Sequence, residues 1–114
     1  MFKVAIIGGQ NRNNYTEFES KCIYYLSRRA KNKEPIIILT TGDKLVEKFC
    51  QKFSIPFRYF YADFKTYKRK ALNVRNEKLL SECNAVIYFN DGLKDSQDIY
   101  YLALEKGIPS RFIQ

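Results

Sequence analysis

The chain has 114 residues and a formal net charge of +8, with 46% hydrophobic and 28% charged residues. This length suits a single domain spanning residues 1–114, and the composition is that of a soluble globular protein. No apolar run reaches the roughly 18 residues that a membrane-spanning helix needs, so we expect no membrane partner. The opening "MFKVAIIGGQ" is a poor signal peptide, because its apolar stretch is short and ends in glycines.

The chain has three cysteines and no histidine. Cys22, Cys50 and Cys83 lack the CxxC spacing of zinc sites, and His-based catalysis is impossible without histidine. We therefore predict no metal site and no cofactor. Cys22 and Cys50 fall on apolar faces of predicted helices, which favours reduced core thiols and a cytoplasmic protein.

Strand and helix patterns alternate along the chain. Five apolar runs predict buried strands, namely "FKVAIIG", "PIIILTTG", "PFRYFYA", "NAVIYFN" and "IPSRFI". Between them, apolar residues recur at helical spacing from Tyr15 to about Asn32, and again after the second strand. A basic linker and a short helix through Leu79 and Leu80 follow the third strand, and a last helix ends at Gly107. The predicted helix caps are Thr16, Asp43 and Asp95.

This alternation predicts the fold class and the place of the site. Short turns and right-handed crossovers give an α/β fold, a single Rossmann-like three-layer domain with a five-stranded parallel sheet and helices on both faces. In such a sheet, ligands bind at the carboxyl ends of the strands, near the point where strand order reverses. The turns that follow the strands are therefore the candidate site.

The first two turns are rich in glycine and hydrogen-bond donors. "GGQNRNNY" lets the backbone approach a ligand, and the helix that follows favours an anion. The turn lacks GxGxxG spacing, and no acidic residue follows the second strand to hold a ribose, which disfavours a dinucleotide redox site. An ordinary polar turn is the alternative for this segment. The second turn, "TTGDK", either holds a phosphate or merely caps the next helix. The candidate ligand-binding residues here are Gly8, Gly9, Gln10, Arg12, Thr41 and Gly42.

A basic stretch separates the third and fourth strands. Between Asp63 and Glu77 there are five cations and no acid, which indicates an anionic partner or simply a solvated surface. Arg75 can clamp a phosphate with two parallel hydrogen bonds, and Asn76 can contact a base or sugar edge. Both are expected at the beginning of the helix. Lys70 is the third candidate ligand-binding residue of this stretch.

The fourth turn, "NDGLKDSQD", leads into the last helix. Its polar groups would face the same edge of the sheet as the first turn, with the Ser96 hydroxyl at the mouth of the pocket. The candidate ligand-binding residues here are Asn90, Asp91, Gly92 and Ser96.

Three segments, "VAIIGG", "YADFKTYKRKALNVRNEKLL" and "AVIYFNDGLKDSQDIYYLALEKGIP", carry a family resemblance. Ala62-Asp63-Phe64 is similar to an A-D-W motif, residues 71–76 to A-G-x-x-R-N, and residues 95–99 to G-T-x-D-M. These motifs resemble the SLOG superfamily, in particular its small stand-alone YspA-like group. The resemblance spans essentially the whole chain and implies a Rossmann-like pocket for a nucleotide or a nucleotide-derived ligand. The short "TTGD" turn and Asp95 depart from the family pattern and imply a re-shaped or enlarged pocket.

Three function classes stay open. The first is a protein that senses or sequesters a nucleotide-derived small molecule. The basic stretch of residues 65–75 and the donor-rich turns favour this class. Four aromatic residues could stack on a base, with packing in the core as the alternative. These aromatic residues are Tyr15, Phe64, Tyr67 and Phe89. The family resemblance further implies assembly with copies of itself, and Tyr100 and Tyr101 are expected to be exposed on the last helix. We therefore expect a homo-oligomer.

The other two classes are an enzyme and a nucleic-acid binder. An enzyme that cleaves an N-glycosidic bond of a nucleoside or nucleotide needs a carboxylate beside the anomeric carbon. "NDGLKDS" resembles a segment of nucleoside deoxyribosyltransferases, but the position of their catalytic glutamate falls at about Tyr101. The remaining catalytic candidates are Glu77, Asp91 and Asp98. A nucleic-acid binder is the least favoured class, because the cations of residues 65–75 cluster in one stretch and no known nucleic-acid-binding motif is present.

Overall fold

The computed structural model describes residues 1–9, 14–31 and 34–114, of which residues 28–31 are described by their backbone alone. The five strands form one parallel sheet in the order β3-β2-β1-β4-β5. They are β1 (Phe2–Ile7), β2 (Ile36–Thr40), β3 (Phe57–Tyr59), β4 (Ala85–Phe89) and β5 (Ser110–Ile113). This confirms the predicted α/β class and the five-stranded parallel sheet.

Five α-helices lie between the strands in the described residues. They are α1 (Tyr15–Lys31), α2 (Lys44–Lys52), α3 (Phe64–Tyr67), α4 (Ala71–Glu82) and α5 (Lys94–Glu105), with a 3₁₀ turn (Lys68–Lys70) between α3 and α4. None of the helices in the described part of the chain combines the length and the apolarity that crossing a membrane requires.

The strand order reverses between β1 and β4. From β1 the chain proceeds outward through β2 to β3, then crosses back to place β4 on the other side of β1. Ile7 of β1 pairs with Tyr88 of β4, so the two strands end side by side. The turns after β1 and β4 therefore meet at one point of the carboxyl edge, which is where a sheet of this kind holds its ligand.

Two apolar clusters cover the two faces of the sheet. On one face α1 and α2 pack over Val4 and Ile6 of β1, and on the other α4 and α5 pack over Ala5 and Ile7. Successive strand side chains point to opposite faces, so a strand covered on both sides must be apolar at every position. This explains the apolar run at residues 4–7 of β1, which are all buried, whereas Lys3 near the beginning of the strand is only half-buried.

The cap of α2 is as expected, whereas the cap of α1 is not. The Asp43 carboxylate accepts a hydrogen bond from the Leu45 amide at 2.9 Å, which confirms Asp43 as a cap. Thr16 as a cap is wrong, because α1 already begins at Tyr15. Asn14 takes this place instead, since its side-chain oxygen accepts from the Glu17 amide at 3.1 Å and asparagine is a favoured cap residue.

The stretch after β3 is helical rather than a linker. The Asp63 carboxylate accepts a hydrogen bond from the Thr66 amide at 3.1 Å and starts α3. The hydrogen bonds from Thr66 lower the pKa of Asp63, which keeps the cap ionised. Because α4 then begins as early as Ala71, Arg75 and Asn76 lie in its second turn and not at its beginning, where the sequence pattern places them.

Candidate functional site

The two glycines after β1 are in tight contact with neighbouring turns. Gly8 has φ of +90°, and a Cβ there would lie 2.0 Å from the carbonyl oxygen of Phe89 at the end of β4. A Cβ on Gly9 would lie 2.6 Å from Oδ2 of Asp43. Both glycines therefore have a packing role at the point where the strands end, in addition to the ligand role predicted for them.

The turn after β2 is built in the same way. Gly42 has φ of +102°, and a Cβ there would lie 2.5 Å from the ring of Tyr59. The Thr40 hydroxyl accepts the amides of Gly42 and Asp43 at 3.2 and 3.3 Å, which closes the turn. Thr41, the other candidate here, is half-buried in the same turn.

Asp43 is a buried carboxylate at the candidate site, with 2% of its surface exposed. Burial raises the pKa of Asp43, and the backbone amides of Leu45, Gly9 and Val46 partly oppose that effect. Asp43 is the first acidic residue after β2, three residues beyond its end, and it serves as the predicted helix cap. The side chain turns inward to cap α2, so it is not presented to solvent.

We expect Asp43→Asn to change how stability depends on pH. A carboxyl group with a raised pKa binds its proton more tightly in the folded state, so its contribution to stability is lost as pH rises from about 4 through that raised pKa. Asparagine keeps the capping oxygen and cannot ionise. The variant should therefore gain stability relative to the wild type as pH rises through this window. Denaturation midpoints of the two proteins at several pH values test this. A difference between the midpoints that does not change with pH would contradict it.

The turn after β4 is held by its own side chains. Oδ1 of Asn90 accepts the Gly92 amide at 3.2 Å. Oδ1 of Asp91 accepts the Leu93 amide at 3.0 Å, and Oδ2 accepts the Ser96 hydroxyl at 2.8 Å. Ser96 is buried, so its hydroxyl stabilises this turn instead of facing an open pocket mouth. Gly92 has φ of +74°, and no atom of the described residues lies within 4 Å of the position that a Cβ would take there.

Arg75 is a buried cation that joins α4 to α5. Only 7% of its side chain is exposed, and its Nη2 lies 2.6 and 2.9 Å from the two carboxylate oxygens of Asp95. Its Nε donates to Oδ1 of Asn76, itself buried, at 3.1 Å. Asp95 as a cap is therefore wrong. It lies in the first turn of α5 with its carboxylate on Arg75, and none of the described side chains caps that helix.

The structure brings together some of the predicted site residues and separates others. The turns after β1, β2 and β4 share the carboxyl edge, and Arg75 reaches the first turn of α5 beside them. Lys70 is exposed at the end of the 3₁₀ turn. Gln10 and Arg12 lie outside the described residues. We find no described group of three or more carboxylate or thiol side chains that could hold a metal ion.

The three catalytic candidates do not form a cluster. Asp91 precedes α5, and Asp98 forms an ion pair with Lys94 at 2.8 Å on the surface of that helix. Glu77 forms an ion pair with Lys106, beyond the opposite end of α5, at 2.7 Å. These candidates are therefore not paired in the way that glycosidic chemistry uses two carboxylates.

The aromatic candidates divide into buried and exposed pairs. Phe89 is 1% exposed and belongs to the core. Tyr15 is half-buried and donates its hydroxyl to Glu19 at 3.3 Å; burial, followed by the charge of Glu19, raises the pKa of Tyr15 to about 12. Phe64 and Tyr67 are exposed on α3.

A cavity of about 690 Å³ lies at the opposite edge of the sheet. Its walls come from the beginnings of β1, β4 and β5 and from the second half of α1, including Phe2, Tyr25 and Arg111. Arg111 lies over the Tyr25 ring, 5.9 Å from its centroid. No sequence pattern indicates this cavity, because its walls combine strand beginnings that are far apart in the chain.

Comparison with known proteins adds no constraint. Neither a protein-family model, nor a curated protein, nor a solved structure matches this chain. The resemblance to the SLOG superfamily therefore stays a prediction, and so does every function drawn from it.

Proposed function

We propose that the protein binds a nucleotide or a nucleotide-derived small molecule, as a sensor or a sequestering protein. The proposed site lies at the carboxyl ends of β1 and β4, where open α/β sheets bind their ligands. The observation that carries the proposal is the pair of Arg75 and Asp95. A buried guanidinium at this edge is held by a single carboxylate that is itself 43% exposed.

An anionic ligand group can take the place of Asp95 on Arg75. The guanidinium forms two parallel hydrogen bonds with phosphate as readily as with carboxylate. Asp95 can turn into solvent because nearly half of its side chain is already exposed. Within the described part of the chain no side chain caps α5, so the backbone amides of its first turn favour the same anion. The ion pair would thus be the unliganded form of the site.

The test is binding of mononucleotides, dinucleotides, cyclic nucleotides and ADP-ribose derivatives, measured by thermal shift and then by calorimetry. For a ligand that binds, Arg75→Ala should weaken affinity at least about tenfold, since a charge-assisted hydrogen bond contributes about 1.5–3 kcal/mol. Asp95→Ala should strengthen it, because the competing carboxylate is gone.

Asp98→Ala is the matched control, because it removes an acid from the same helix without touching Arg75. Its affinity should equal that of the wild type. If no compound binds, or if Arg75→Ala and Asp95→Ala change affinity in the same direction, the proposed site is wrong.

The N-glycosidic alternative is distinguished in the same experiment. Each of its candidate carboxylates already accepts a hydrogen bond or forms an ion pair, which favours binding over catalysis. Recovery of an intact ligand after denaturation supports a binding protein, whereas release of a free base supports the enzyme.

Assembly into a homo-oligomer and a cytoplasmic location stay part of this proposal. Tyr101 is 60% exposed on α5, as expected for an interface residue. Tyr100 instead stacks on Tyr88 with ring centroids 4.9 Å apart, so it contributes to the fold.

A further inference from the structure

Four aromatic side chains are exposed within nine consecutive residues at the end of β3 and in α3. Tyr59, Tyr61, Phe64 and Tyr67 have 52%, 68%, 58% and 42% of their surfaces exposed. The rings of Tyr59 and Tyr61 are stacked, with centroids 5.8 Å apart and planes inclined by 22°. Exposed aromatic rings contribute little to a core, and a cluster of them marks an interaction surface.

The same segment carries four cations that have no ion-pair partner among the described residues. They are Lys65, Lys68, Arg69 and Lys70, all exposed. The cations on either side are neutralised, because Arg58 pairs with Glu82 at 2.6 Å and Arg75 pairs with Asp95. The carboxylate of Asp63, the one acid of the segment, caps α3. The positive charge of this stretch is therefore available to a partner.

The exposed aromatic and cationic groups lie in one segment of twelve residues, 59–70. Tyr61 and Phe64 are three residues apart, so their Cα atoms are at most about 11 Å apart. Phe64 and Tyr67 lie three residues apart on α3 and share a helix face. Lys68 follows directly, with φ of +53°, a backbone conformation that favours glycine over lysine. We call residues 59–70 the aromatic–basic surface.

We propose that the aromatic–basic surface binds single-stranded nucleic acid. Bases would stack on the exposed tyrosine and phenylalanine rings, and the cations would contact the phosphates. A single strand fits better than a duplex, because ring faces can stack only on bases that are free of their own stack. A membrane surface fits less well, because α3 has four residues and offers no long amphipathic helix.

This proposal is independent of the nucleotide site. It uses neither Arg75 nor Asp95, and it assigns the exposed Lys70, Phe64 and Tyr67 to this surface and not to the nucleotide pocket. It therefore holds or fails whether or not a small molecule binds near Arg75. The experiment is fluorescence anisotropy with a labelled oligouridylate of about 12 nucleotides and with an RNA duplex of equal length. The affinity is measured at salt concentrations from about 50 to 200 mM. For a single strand, the logarithm of the binding constant falls with the logarithm of the salt concentration, with a slope of about −0.7 for each phosphate contact.

Aromatic and charge variants should weaken binding to the single strand in different ways. Tyr61→Ala should weaken it at least about fivefold at every salt concentration, the loss expected for one stacked base. The double variant Lys68→Gln/Lys70→Gln should weaken it and reduce the salt slope by about 1.4, or about 0.7 per lost phosphate contact. The wild type should bind the duplex more weakly than the single strand.

Matched controls separate this surface from general charge. Lys21→Gln/Lys78→Gln removes the same charge from exposed positions of α1 and α4, and Tyr24→Ala removes an exposed tyrosine from α1. Both controls should bind as the wild type does.

Lys68→Gly should weaken binding without lowering Tm, since glycine removes the conformational strain of a side-chain-bearing residue at positive φ.

Three outcomes would overturn the proposal. The first is an equal loss of affinity in the control pair and the Lys68/Lys70 pair. The second is equal or tighter binding of the duplex. The third is binding to phosphatidylserine vesicles without binding to the oligonucleotide.

Discussion

Gly8→Ala is expected to cost more than about 4 kcal/mol of unfolding free energy, enough to prevent folding in a domain of ordinary stability. The added Cβ would lie 2.0 Å from the carbonyl oxygen of Phe89, which is backbone of the neighbouring strand and cannot rotate away. The φ of +90° adds conformational strain for any residue with a side chain. Relief would require β1 and β4 to separate at the candidate site.

Gly92→Ala is the control for the backbone strain alone. Gly92 has φ of +74°, but no atom lies near the position of its missing Cβ. We expect this variant to fold and to lose about 1–2 kcal/mol. Soluble yield and urea denaturation of both variants measure the difference. Equal losses would show that β1 and β4 do not approach as closely as described.

Asp95→Ala is expected to cost about 2 kcal/mol of unfolding free energy, an unusually large loss for a half-exposed acid. Removing this carboxylate leaves the Arg75 guanidinium buried without its charge partner, and breaking a buried pair typically costs about 3–5 kcal/mol. The expected loss is smaller than this range because water reaches Asp95 and screens the ion pair. Asp98→Ala, whose partner Lys94 is 87% exposed, should cost no more than about 0.5 kcal/mol.

A second variant separates charge from packing at this position. Arg75→Met combined with Asp95→Ala removes both charges and keeps an apolar side chain between α4 and α5. It should recover part of the loss, because replacing a buried ion pair by apolar groups is often close to neutral. Added phosphate should stabilise Asp95→Ala more than the wild type, since Arg75 is then free to bind it. A double variant less stable than Asp95→Ala would show that the unpaired guanidinium is not the cause of the loss.

Apolar patterns predict this fold well because burial dictates them directly. β1 and β4 are covered on both faces, so residues 4–7 of β1 and all of β4 read as apolar runs. β3 is weaker, because it lies at the edge of the sheet and pairs only through Phe57–Tyr59. The apolar run "PFRYFYA" extends past the end of that strand, where Tyr61 points into solvent.

Side-chain partners in the candidate site cannot be predicted from local sequence. Arg75 and Asp95 are twenty residues apart, and only the packing of α4 against α5 brings them together. Local cap rules favour Asp95 as a helix cap, but the buried guanidinium holds its carboxylate more strongly. The glycines of the turns are recognisable in the sequence, whereas the neighbours that require them, Phe89 and Asp43, become visible only in three dimensions.

The three buried thiols are divided between the two halves of the core. Cys22 and Cys50 belong to the layer under α1 and α2, and Cys83 belongs to the layer under α4 and α5. Burial raises the pKa of Cys50 to about 12 and that of Cys83 to about 11, so neither forms much thiolate while its layer stays closed. Each side of the sheet therefore has at least one protected thiol, and the rates at which these thiols react with a thiol reagent show which side opens first.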